Sequence, residues 1–322
     1  MVAIDRNYQL LRCPYCGGKF KKHRDSLVCD CDEFPIVEGI LCLDKSIVKR
    51  VIDKQQKNDK VGALAEALGF GKRRVILKLL MWLAEKKIFI YWLWGYKKHE
   101  WNYYINRHEE RESELFWWPT LIKHQKLEVW VDIGSGFGHN HQKLLKKYPG
   151  TTIYSVENSF KNLLLSKLIY DENSRLVRVC ADMSEVGSLF IEHKVDVVTL
   201  IDVLPFVKNQ QKLVEIVVKK ILGRNGVVVM TSMVEHVYLE TLGNYFPIYW
   251  EKLKSWLPKD GVFLDELKVL GEGDALKSVL VDKQKPVFRY SVIWPGKMPQ
   301  KIVFGAKNYW KDAKIKWKNK VY

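Results

Sequence analysis

The sequence predicts an α/β protein: a doubly wound, mostly parallel sheet with an antiparallel edge, preceded by a small cysteine-bearing domain. Three observations predict it. From Leu127 onward, short β-branched runs alternate with stretches whose apolar residues fall at helical spacing. Three glycines stand at every second position behind the first of those runs, and four cysteines form two close pairs before residue 44. Alternation of this kind implies βαβ units, in which helices cover both faces of a parallel sheet.

Taken in order, strands are expected at 129–133, 152–156, 176–180, 195–201 and 227–232, and Leu213, Val217 and Ile221 mark an intervening helix. Residues 234–256 read as helix, stopped by Pro258, and 287–294 and 301–306 read as two later strands at one antiparallel edge. Texture divides the chain into 1–44, rich in Cys and Gly, a helical basic-aromatic connector at 45–126, the alternating region at 127–306, and a basic tail at 307–322.

With 322 residues, 47% of them hydrophobic, the chain can bury one sizeable core and a smaller unit, which excludes disordered and fibrous classes. There is no charged-then-apolar N-terminal stretch with a small-residue cleavage site, so a cytoplasmic setting is expected. The apolar runs beginning at Val75 and Ile88 are separated by Glu85, Lys86 and Lys87, and each falls short of the ~20 residues of a spanning helix. The net charge is +16 and the pI about 9.4, which suits phosphate-bearing partners, an anionic membrane surface or an acidic substrate, and equally a Lys-rich soluble surface.

Residues 130–140 read Trp-Val-Asp-Ile-Gly-Ser-Gly-Phe-Gly-His-Asn. In a strand-to-helix turn, closely spaced glycines let backbone approach a ligand without Cβ obstruction. A dinucleotide fingerprint wants glycines at its first, third and sixth places, but here Gly134, Gly136 and Gly138 leave His139 at the sixth. That argues against a pyrophosphate site.

The run from Asp132 to Gly138 resembles motif I of class I S-adenosylmethionine (SAM)-dependent methyltransferases, whose sheet is Rossmann-like. The resemblance continues in register. Glu157 closes the second strand, where a carboxylate accepts both ribose hydroxyls. Asp182, in Cys-Ala-Asp-Met-Ser, falls where the family places an acid near the adenine amino group. Residues 195–207 match the fourth motif, and 219–232 the family's next helix, glycine turn and fifth strand. The resemblance thus implies SAM as cofactor, held by Asp132, Gly134, Ser135, Gly136, Gly138, Glu157, Asn158, Asp182, Met183 and Asp202. Asp182 also suits a plain helix N-cap.

The sulfonium methyl of SAM is already activated, so the protein must chiefly align an acceptor and exclude water. Only an acceptor of high pKa needs a general base. His139, His141 and His236 are candidates by position after strand ends, with Tyr104 of the segment before the sheet, and each histidine reads first as a surface or helix-capping residue. Asp202-Val203-Leu204-Pro205-Phe206 departs from the (Asp/Asn)-Pro-Pro-aromatic element of enzymes that methylate base amino groups, and is more similar to the loop of small-molecule methyltransferases. Residues 101–114 resemble a lid, with Tyr103, Tyr104 and Arg107 over the methionine carboxylate, or form a simple amphipathic helix.

Cys13-x₂-Cys16, twelve residues, then Cys29-x-Cys31 suits tetrahedral zinc rather than disulfides in a chain without an export signal. The segment, with Phe-Pro-Ile-Val-Glu-Gly-Ile at 34–40, resembles the zinc-ribbon-like (Trm112-like) domain that precedes some methyltransferase domains. Its second pair is one residue shorter than the usual Cys-x₂-Cys, which leaves three readings: ligation by all four thiols, substitution by His23, or a metal-free ribbon. Cys42 and Cys180 read as buried apolar thiols.

Basic-aromatic stretches at 72–98 and 307–322 suit base stacking, a lipid headgroup layer, or a cap helix and a solvated tail. The leading expectation is a methyltransferase acting on a small-molecule, lipid or glycan-precursor acceptor. An RNA methyltransferase and a non-catalytic binding protein that kept the fold are the alternatives. Acceptor atom and oligomeric state leave no trace in the sequence.

Overall fold

The computed structural model describes residues 8–68, 127–169, 173–234, 246, 248–257, 262–265 and 289–294. Four short strands come first: β1 (Lys21–His23), β2 (Ser26–Val28), β3 (Glu33–Val37) and β4 (Ile40–Cys42). Helices α1 (Lys45–Gln56) and α2 (Lys60–Leu68) follow. Then come β5 (Val129–Ile133), α3 (His141–Lys147), β6 (Thr152–Glu157), α4 (Phe160–Ile169), β7 (Leu176–Cys180), β8 (Val195–Ile201), α5 (Gln210–Ile216), β9 (Leu222–Val234), α6 (Trp250–Trp256), β10 (Val262–Asp265) and β11 (Arg289–Trp294). The fold is α/β and Rossmann-like, parallel through its central strands with an antiparallel edge. The described chain divides into two units. One takes residues 8–68 with Ser135–Lys147 and Thr152–Leu189; the other takes 127–134, Tyr148–Thr151 and the described residues from Phe190 onward.

In the first unit the strand order is β1-β2-β3-β4-β7-β6. Glu38 and Gly39 both have positive φ, 52° and 74°, so a two-residue turn joins β3 to β4 with the twist a hairpin requires. β4 then pairs in parallel with β7, setting Ile40 beside Arg178, Leu41 beside Val179 and Cys42 beside Cys180. The cysteine-bearing segment thus hands its last strand to the edge of the parallel sheet. This leaves no unpaired edge on β7. Asp44 accepts the Ser46 N–H at 2.8 Å and caps α1. Val48 and Val51 of α1, Ala63 and Leu68 of α2, and Phe160, Leu163 and Leu164 of α4 share one core with Val37, Ile40 and Cys42.

In the second unit the order is β5-β8-β9-β11-β10. β5, β8 and β9 run parallel, their inward Val, Ile and Leu side chains fully buried, as strands covered on both faces require. β11 and β10 add the antiparallel edge. The later expectations are met in part. The edge partner of 289–294 is 262–265, while 301–306 lies outside the described residues. Of the helix expected over 234–256, Trp250–Trp256 is helical, and Val234 instead ends β9 by pairing with Arg289 of β11. Phe246, Ile248 and Tyr249 are not helical, and 235–245 and 247 lie outside the described residues. Among the described residues, no helix is long and apolar enough to cross a membrane.

Candidate functional site

In the first unit the second half of the glycine turn is tied down by its own backbone. Ser135 N–H donates to Val156 O (3.2 Å) and Gly138 N–H to Ser135 O (2.9 Å), while the Ser135 and Ser155 hydroxyls share a buried 2.6 Å hydrogen bond. Glu157, only 7% exposed at the end of β6, accepts Gly136 N–H at 2.9 Å through one carboxylate oxygen. Its other oxygen accepts Ser159 N–H at 3.0 Å and Asn162 Nδ2 at 3.5 Å. A carboxylate offers roughly four acceptor positions, and these donors fix the orientation of the Glu157 carboxylate at the turn. Gly136 has φ +55° and nothing within 4 Å of where a Cβ would stand. Its backbone therefore presents an open face, as a nucleoside ligand requires.

The other two glycines have intramolecular reasons. A Cβ on Gly138 would lie 2.3 Å from His141 Nδ1, and one on Gly134 2.4 Å from Val203 Cγ2. His141 is fully buried at the start of α3, and His139 stacks on Phe137 (5.7 Å between centroids, 22°). Asp182 is exposed and accepts Ser184 N–H at 2.7 Å, capping the turn Met183–Glu185. Asn158 is exposed, and its carbonyl accepts the Cys180 thiol at 3.6 Å. His236, Tyr103, Tyr104 and Arg107 lie outside the described residues, as do the stretches 72–98 and 307–322.

In the second unit Asp132 is 6% exposed. One of its oxygens accepts the Thr199 hydroxyl at 2.6 Å, and Thr199 Oγ in turn accepts the Trp130 indole N–H at 3.1 Å. This chain pins β5 to β8, a role that the motif alone does not announce. Asp202, directly after β8, adopts φ +57° and donates its N–H to Thr231 O at 3.1 Å. A non-glycine residue in that region carries strain of the kind that gathers at functional sites. Val203 and Leu204 turn into the core. Phe206, Phe246 and Tyr249 stay exposed, and Phe246 N–H donates to Pro205 O at 2.7 Å.

The thiols of Cys13, Cys16, Cys29 and Cys31 all lie within 4.8 Å of one another. The closest approaches are 3.3 Å for Cys29–Cys31, 3.5 Å for Cys13–Cys31 and 3.8 Å for Cys16–Cys29. Sulfurs bound at ~2.3 Å to a tetrahedral zinc stand roughly 3.8 Å apart, so these four fit the ion closely. The one-residue spacer, Asp30, does not prevent convergence: Cys29 N–H donates to Asp32 O at 2.9 Å and curls the pair inward. His23 takes no part, its Nδ1 lying 3.3 Å from Glu33. The Gly18 N–H and neighbouring thiols pull Cys16 down to about 7, whereas hydrogen bonding to Cys29 and Cys16 holds the Cys31 proton tightly. Burial, then Glu185, pushes the Tyr15 phenol up to about 12.

With this geometry in hand, residues 131–241 match the family model described as "Methyltransferase domain". That stretch is a methyltransferase domain. It is of the class I, SAM-dependent kind, with the glycine turn after β5 and the acid that closes β6. The match covers about a third of the chain. No curated protein matches the sequence. Among solved structures, the chain is similar to phosphoethanolamine N-methyltransferase 2 of Haemonchus contortus in complex with SAM: 20% identity, 44% of this chain, TM-score 0.38. It spans only 36% of that protein's length. A complex between the Haloferax volcanii Trm112 methyltransferase activator and the putative methyltransferase gives 13% identity, 64% of this chain, 93% of that chain and TM-score 0.42. A SAM-dependent methyltransferase from Archaeoglobus fulgidus gives 16%, 55%, 88% and 0.38.

Proposed function

We propose that this chain transfers a methyl group from SAM to a small-molecule, lipid or glycan-precursor acceptor. The observation that carries the reading is Glu157: a buried carboxylate closing β6, bonded to the N–H of the one turn glycine whose backbone faces open space. When bound, SAM supplies an electrophilic sulfonium methyl. Glu157 would hold the ribose hydroxyls, and Gly136 would let the backbone approach the nucleoside. Asp182 would meet the adenine side, with Met183 against the ring. Ser135, tied to Ser155, keeps the turn rigid, so that the cofactor is oriented before an acceptor arrives.

The acceptor class is argued from 202–206. Base-amine methylation uses a main-chain carbonyl and side chain in an (Asp/Asn)-Pro-Pro-aromatic element. Here Val203 and Leu204 occupy the inner positions and are buried. Exposed Phe206, Phe246 and Tyr249 favour an acceptor with an apolar portion. Asp202 stands four residues before Phe206, and it suits orienting an acceptor hydroxyl or amine.

Isotope transfer from labelled SAM into fractionated cell extract tests the reading. Label is expected in the metabolite, lipid or glycan fraction. Label confined to RNA would overturn the acceptor class, and label in no fraction would favour a non-catalytic binding protein.

A further inference from the structure

We infer that metal binding at the four-cysteine cluster and cofactor binding beside Glu157 and Asp182 are thermodynamically linked, with Tyr15 as the positioning residue between them. The inference rests on the methyltransferase reading of Glu157 and Asp182. All the contacts that support it lie within the first unit.

Tyr15 stands between Cys13 and Cys16, two members of the cluster. The loop that carries it is closed by Gly17 N–H to Cys13 O (2.8 Å) and Cys13 N–H to Gly18 O (3.0 Å). An ion shared by four thiolates fixes this loop further, because its ligands must hold one tetrahedral arrangement. Two contacts run from the loop to the segment after β7. Arg12 N–H donates to Leu189 O at 2.8 Å, and the Tyr15 hydroxyl reaches Glu185 Oε2 at 3.5 Å. The Tyr15 ring is aimed by stacking on Phe34 (5.8 Å, 17°), whose edge meets Phe20 (5.7 Å, 81°).

At the far end of these contacts, Glu185 closes the turn that Asp182 opens, its N–H donating to Asp182 O at 3.1 Å. That segment consists of one three-residue turn, Met183–Glu185, and one four-residue helix, Val186–Leu189. Pieces this short have little stability of their own, since helix nucleation is costly, and depend on outside contacts for their shape. A backbone route reinforces the side-chain one: β4 lies along β7, and Leu43 N–H donates to Cys180 O at 2.9 Å, two residues before Asp182. Ala181 N–H then donates to Glu157 O at 3.2 Å. The metal loop and the adenine-side loop therefore brace one another.

A ligand's apparent affinity falls by the fraction of molecules whose binding segment is in place, and the linkage is reciprocal. Metal should tighten cofactor binding, and cofactor should tighten metal binding by the same factor.

The test uses the full chain, zinc-loaded and chelator-stripped, titrated with S-adenosylhomocysteine by calorimetry. Stripping should weaken binding by about fivefold or more. Competition with a chromogenic chelator should show zinc held more tightly, by the same factor, when S-adenosylhomocysteine is saturating. Tyr15→Phe keeps the ring on Phe34 but loses the hydroxyl, so it should bind zinc while showing a reduced factor in both experiments. Glu185→Gln, which keeps an acceptor, should retain most of it. Equal affinity in the two metal states overturns the linkage and leaves the methyltransferase reading intact; binding in neither state overturns that reading itself. Should stripping unfold the chain, zinc-loaded Tyr15→Phe against zinc-loaded wild type decides: unchanged S-adenosylhomocysteine affinity overturns the role of Tyr15.

Discussion

A methyl group added at Gly138 would press on the His141 ring, and one at Gly134 on Val203, whereas one at Gly136 would point into open space. All three glycines have positive φ, so any alanine there carries left-handed strain of about 1–2 kcal/mol. Overpacking at Gly134 and Gly138 adds a further ~1–3 kcal/mol, since Val203 and His141 are themselves buried. Urea denaturation should therefore show Gly138→Ala and Gly134→Ala clearly less stable than Gly136→Ala. The order should reverse when binding is compared with stability: Gly136→Ala should lose SAM affinity out of proportion to its small stability cost. Equal stability losses in all three would show that the turn's glycines serve one purpose. The spacing of these glycines and the interval to Glu157 were legible in the sequence because they are local. The partners of Asp132 and the burial of His141 were not. Thr199 reaches Asp132 from another strand, 67 positions away, and His141 faces inward only because Gly138 leaves room for its ring.

At the scale of elements, the cysteines separate into two populations. The cluster lies on loops around β1–β3, with Cys16 and Cys31 exposed, while Cys42 and Cys180 face one another across β4 and β7 with no exposure. In metal-free protein near pH 7, iodoacetamide should modify Cys16 first, because it is exposed and pulled down to about 7, and zinc should protect it. Cys42 and Cys180 should react only on unfolding. Burial pushes the Cys180 thiol up to about 12 and the Cys42 thiol higher still. Both therefore stay protonated in the native state when an unfolded thiol, near 8.5, has ionised. Their contribution is fully present below that value and is lost as pH rises above it, so native stability should fall from about pH 9 upward, by at most ~1.4 kcal/mol per pH unit for each thiol. Cys42→Ala with Cys180→Ala should flatten that limb of the stability profile. The parallel strands were readable as β-branched runs, as was the helix through Leu213, Val217 and Ile221, which ends in a π turn at Val217–Ile221. The pairing of β4 with β7 was not, since nothing in a three-residue apolar strand names its neighbour. Val234, expected to open a helix, instead ends β9, because that strand outruns its own hydrophobic signal by pairing with β11.

For the molecule as a whole, the excess of 53 Lys and Arg over 37 Asp and Glu leaves phosphate-bearing partners in play. Salt separates the acceptor classes. An RNA partner gives an affinity whose logarithm falls linearly with that of salt, with a slope of about −0.7 per neutralised phosphate on a single strand. For an apolar or uncharged small acceptor, turnover should change little between low and physiological salt. The fold class and the cofactor were readable from the chain because they rest on one turn, one acid and the alternation of elements. The acceptor was not, since residues 202–206 depart from the one motif that would name an acceptor class.

The most direct measurement is a calorimetric titration of the full chain with SAM, wild type against Glu157→Ala. One site of micromolar affinity is expected for the wild type. The variant should bind weaker by on the order of 1.5–3 kcal/mol, the worth of hydrogen bonds to a charged group. Absence of binding to the wild type, or an affinity that Glu157→Ala leaves untouched, would contradict the account.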